Sequence, residues 1–103
     1  MHAKVEIIMR EVAAACDISP EEIVGPRLFQ ELADARHMVR AITAELLGWM
    51  GCRQDRDWGV GNGTSAHSIR RVAALRETDE AFARRYMAIK QRCQLALDAA
   101  AAA

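Results

Sequence analysis

Seven positions between Leu28 and Trp49 constrain this chain more than any other feature. Leu28, Leu32, Ala35, Val39, Ile42, Leu46 and Trp49 recur at alternating steps of four and three. A helix with 3.6 residues per turn brings such positions onto one face, so the spacing predicts a central helix of about five turns with several packing neighbours.

The flanking segments follow the same rule. Val5, Ile8, Met9, Val12, Ala13 and Cys16 form a second helical stripe. Ser19, Pro20, Glu21 and Glu22 read as a capping box that opens a short helix, stopped by Gly25 and Pro26. Gly48, Gly51, Gly59, Gly61 and Gly63 then interrupt any long helix, leaving room for one short turn over Gln54 to Trp58. Helix is expected to resume near Ser65, with Ala66, Ile69, Val72 and Ala73 inward and Arg70, Arg71 and Arg76 elsewhere. Thr78 is expected to cap a last helix whose Phe82, Tyr86, Ile89, Cys93 and Ala96 face inward. The expectation is an all-α, compact five- to six-helix bundle with no strands. At 103 residues it forms one domain over residues 1–98, followed by an alanine tail, 99–103, expected to fray.

Composition narrows the class. The three cysteines, Cys16, Cys52 and Cys93, are odd in number and far apart, which supports neither a disulfide framework nor a paired metal site. They are expected to be reduced and mostly buried. Lys4, Glu6, Arg10 and Glu11 interrupt the apolar start, so it reads as neither signal peptide nor membrane anchor, and a cytoplasmic location is expected. The formal net charge of zero hides a gradient. Residues 1–50 hold 5 Lys/Arg against 8 Asp/Glu, residues 51–76 hold 5 against 2, and the remainder holds 4 against 4.

Catalytic motifs are lacking: there is no phosphate loop, no HExxH and no GxSxG. Gly59, Gly61 and Gly63 lack the preceding strand and further glycine of a dinucleotide fingerprint. His2, His37 and His67 are too dispersed for a metal site. No enzymatic activity, cofactor, metal or small-molecule substrate is expected.

The unit from Trp58 to Arg71 has the order of a helix-turn-helix: a helix end, a glycine turn, then short polar residues opening a helix that carries arginines. Such a second helix enters the major groove with its first residues at base edges and cations near phosphates. Thr64, Ser65, His67 and Ser68 are candidates for bases, and Arg70 and Arg71 for phosphate or guanine. The plainer reading stays open at this point, with Ser65 as an N-cap and His67, Arg70 and Arg71 as a solvated face. His37 and Arg40 lie off the central stripe and read as solvated; Arg36 is evenly balanced.

The order of these motifs over roughly residues 5–93 resembles the C-terminal, DnaA-box-binding domain of the bacterial replication initiator DnaA. The likeness rests on the run DISPEEIVG, on Ala35-Arg36-His37-Met38-Val39-Arg40-Ala41 with Glu45-Leu46, and on Trp58-Gly59 and Asn62-Gly63 around the turn. It implies a DNA-binding helix-turn-helix within the Trp-repressor-like superfamily. Where that family opens its recognition helix with Arg-Asp-His-Thr-Thr, this chain has Thr64-Ser65-Ala66-His67-Ser68. Where the family has a basic minor-groove loop, this chain has Arg27-Leu28-Phe29-Gln30-Glu31, with Gln30 at the place of an important arginine.

The resemblance therefore implies sequence-specific binding of double-stranded DNA at a site other than a standard DnaA box, as a transcription regulator, phage-derived or part of a larger protein. Arg27, Gln30 and Arg36 would meet backbone or minor groove, and RNA polymerase or an adjoining domain would add affinity. The rival expectation is a helical protein–protein interaction module that kept the fold and lost DNA.

Overall fold

The structure, a computed structural model, covers residues Met1–Ala103 and is entirely helical. Six helices follow in order: α1 (Ala3–Cys16), α2 (Pro20–Val24), α3 (Gln30–Leu47), α4 (Gly51–Trp58), α5 (Thr64–Thr78) and α6 (Glu80–Ala102). The capping box forms as expected, with Glu22 N–H donating to Ser19 Oγ and Ser19 N–H donating to Glu22 Oε1, each at 3.2 Å.

Helix α3 is the centre of the bundle and touches α1, α2, α5 and α6, while α1 also packs along α6. Ile8, Val12, Ile23, Ala35, Val39, Ile42 and Tyr86 are fully enclosed at the meeting point of these helices. Each large aliphatic side chain buried there contributes about 1.5–3 kcal/mol, and truncation of Ile8, Ile23 or Ile42 to alanine would leave a larger void than truncation of Val12. No helix is long and apolar enough to cross a membrane.

Several expectations are corrected. Leu28 belongs to the connection before α3 and is 88% exposed, because Phe29 caps the helix and α3 starts only at Gln30. At the other end, Trp49 lies beyond α3 yet is buried, with Arg53 stacked 3.8 Å above its ring. The single turn expected over Gln54 to Trp58 is an eight-residue helix. Asp79, not Thr78, caps α6 through the Phe82 amide; the Thr78 hydroxyl donates to the Ala74 carbonyl inside α5. The alanine run continues α6 as far as Ala102, as the high helix propensity of alanine favours. Of the cysteines only Cys93 is buried, its thiol pushed up to about 12 by burial, and Cys52 is exposed.

Candidate nucleic-acid interface

Helices α4 and α5 are joined by the turn Gly59–Gly63. Two glycines make the junction possible. Gly63 sits at φ 88°, a left-handed conformation that L side chains resist. A Cβ on Gly51 would lie 3.2 Å from the Ala66 amide nitrogen, so its absence lets α4 rest directly on α5.

Gly63 has no side chain with which to cap α5, and Asp55 does so from α4 instead. The carboxylate is buried and accepts the Gly63 N–H at 3.0 Å on one oxygen and the Ser65 N–H at 2.8 Å on the other. The Ser65 hydroxyl first, then these two amides, outweigh burial and hold the Asp55 carboxyl below the usual carboxylate range. A negative charge at the positive end of α5 is also favoured by the helix dipole. Asp55 escapes sequence reading because it caps across a turn, outside the local spacing of a capping motif.

The inner face of α5 is polar where an apolar stripe was expected. Ser65, Ser68 and Val72 are its buried residues, whereas Ala73 is exposed. Ser68 Oγ lies 2.8 Å from His37 Nδ1 and accepts from Arg40 Nη1 at 3.1 Å. The Arg40 guanidinium is stacked 4.4 Å over the Trp58 ring, and Gln54 Nε2 donates to the Arg40 carbonyl at 2.9 Å. Burial, then the neighbouring Arg36, lowers the pKa of Arg40. Burial, then the charges of His67 and Arg40, lowers that of His37, whose ring meets His67 edge-on at 5.7 Å.

This arrangement divides the candidate residues. Ser65, against Asp55 of α4, and Ser68, against His37 and Arg40 of α3, are fully buried and cannot reach a base, which corrects their assignment. His37 and Arg40 are likewise part of the α3–α5 seam rather than a solvated face. Arg36 is committed elsewhere: its Nε donates to the Ile23 carbonyl at 2.6 Å, and its Nη2 donates to the Gly25 carbonyl at 2.7 Å and the Glu22 carbonyl at 3.2 Å. It closes the C-terminal end of α2, whose last carbonyls lack helical partners.

What remains available is compact. Thr64 is half-buried, and its hydroxyl donates to the Gly61 carbonyl at 2.7 Å, leaving oxygen lone pairs free to accept. His67, Arg70 and Arg71 are exposed on the first two turns of α5, and neither arginine has an acidic partner. Exposed Asn62 precedes them in the turn, a residue the sequence reading placed only in the glycine turn. Arg27 is exposed beside Leu28 and Phe29, and Gln30, now the first residue of α3, donates to Asp34 Oδ1 at 2.8 Å. Gln30 stands about 10 Å along α3 from His37, two turns away, so the loop and the start of α5 flank one stretch of surface.

No protein-family model matches this chain, and no curated protein matches it.

Proposed function

We propose that the chain binds double-stranded DNA with the N-terminal half of α5 in the major groove, in the manner of a helix-turn-helix, and acts as a transcription regulator. The observation that carries this reading is the set His67, Arg70 and Arg71, exposed and unpaired on the opening turns of a helix whose orientation is fixed by Asp55. An unpaired guanidinium pair supplies phosphate attraction or a bidentate contact with guanine, and His67 and Thr64 supply shorter-range hydrogen bonds at base edges. Arg27 reaches toward the flanking backbone. Ser65, Ser68 and Arg36 shape this surface from behind it.

The exposed apolar pair Leu28 (88%) and Phe29 (61%) favours a second reading, a protein-docking module, because it replaces the cations expected in that loop. Selection from random duplex DNA at low salt distinguishes the two. An enriched motif, with affinity falling over several powers of the salt concentration, is the outcome expected for a DNA reader. No enrichment, with only weak binding erased by salt, would transfer the function to the loop and to a protein partner.

A further inference from the structure

The outward face of α6 carries an exposed residue row, touched from α5 by Arg76, whose Nη2 donates to Met87 Sδ at 3.3 Å. Met87 and Leu95 are large apolar side chains exposed at 46% and 67%, and Arg84, Ala88, Gln91, Gln94 and Asp98 share their face. The cations of the following turns are drawn off this face: Lys90 pairs with Glu45, and Arg92 with Glu11. Arg84 keeps only a 3.8 Å contact with Glu80 across an exposed surface, and Asp98 accepts from Gln94 Nε2 at 2.9 Å within the same helix, leaving its charge without a cationic partner.

The row is symmetric about Gln91 in a way that fits a second copy of itself. Arg84 and Asp98 stand seven residues before and after Gln91, Met87 and Leu95 four, and Ala88 and Gln94 three. We propose that two copies of this chain pair through α6, antiparallel, with the two-fold axis beside Gln91. In that register Arg84 meets Asp98 of the second copy at both ends, Met87 meets Leu95, and the two Gln91 amides face each other at the centre. The small Ala88 permits close approach. An isologous contact of this kind is closed, so it gives a dimer and no larger assembly. A parallel pairing would instead oppose Arg84 to Arg84 and Asp98 to Asp98, which like charges disfavour.

An open groove of about 490 Å³ beside the row, bounded by Leu46, Met87 and Lys90, provides the seat for Leu95 of the second copy. The inference does not depend on the DNA reading.

Sedimentation equilibrium of the full chain over micromolar to millimolar concentration tests it. A monomer–dimer equilibrium is expected, which Leu95→Glu abolishes. Arg84→Glu and Asp98→Arg should each weaken it about tenfold or more, while the double variant restores it. Circular dichroism establishes that each variant remains folded. In a Cys52→Ala background, Gln91→Cys should form a cross-linked dimer under mild oxidation, whereas Glu77→Cys should not. A chain that stays monomeric at millimolar concentration overturns the proposal. So does a dimer indifferent to Leu95→Glu, one the double charge reversal fails to restore, or one that Gln91→Cys does not trap.

Discussion

Asp55 shows how one side chain can set the relation between two helices. Replacing it with alanine leaves the Gly63 and Ser65 amides without an acceptor in a buried site, where charge-assisted hydrogen bonds are worth most. Asp55→Ala is expected to cost about 2–3 kcal/mol in urea unfolding. A loss under about 0.5 kcal/mol would mean that water or a neighbour takes over the cap. Ser68 invites a different test, since its hydroxyl lies between His37 and Arg40. Ser68→Ala should lower stability by about 1–3 kcal/mol and, on the proposed DNA reading, leave base preference untouched, because the side chain is buried behind α5. A changed preference with unchanged stability would return Ser68 to the proposed base-reading set. Ser65 and Ser68 were legible as polar residues opening a helix, but not as buried ones. Period counting sends hydroxyls outward, and the His37 and Arg40 groups that meet the Ser68 hydroxyl lie on another helix.

At the scale of elements, sequence periodicity served best where the buried face is apolar. The inward faces of α1 and α6, and the stripe of α3 from Leu32 to Ile42, were readable because aliphatic residues mark them at helical spacing. The inner face of α5 was not, since two of its three buried residues are serines. Helix α4 was underestimated because its buried residues, Gln54 and Asp55, are polar too. On α5, Arg70 and Arg71 are exposed, as their place off the apolar stripe predicts, whereas Ser65 and Ser68 are buried. The role of the helix is tested residue against residue. Arg70→Ala and Arg71→Ala should each weaken binding of a selected duplex; a phosphate contact is recognised by uniform loss across sequences and a salt slope reduced by about one. His67→Ala should instead alter which sequences are preferred, by roughly 1–3 kcal/mol at one base pair. If neither arginine changes affinity, α5 is not the element in the groove.

Across the whole molecule, helix α5 is tied down at both ends by polar groups that respond to acid. At its start stand Asp55 and the contact of Ser68 with His37. Near its end Arg76 meets Glu45, which also accepts from Tyr86 at 2.6 Å and pairs with Lys90, joining α3, α5 and α6 at one point. Although burial raises it, the hydrogen bonds from Lys90 and Tyr86 and the charges of Lys90 and Arg76 hold the Glu45 carboxyl below its ordinary range. These groups predict two separate steps of acid destabilisation. His37 resists protonation in the fold, while the unfolded chain takes up the proton near the ordinary value of 6.5. The unfolded state therefore binds more protons once the pH drops through 6.5, and stability declines until the folded-state pKa is passed, where it levels. Asp55 and Glu45 act lower. Their depressed values mean that their contribution is intact above the ordinary carboxylate range and disappears as pH falls through the folded-state pKa of each. Urea unfolding measured from pH 8 to pH 3 should show an upper decline that His37→Asn flattens and a lower one that it leaves in place. If His37→Asn leaves the upper decline unchanged, the proton is taken up elsewhere, and the α3–α5 seam is not what acid loosens first.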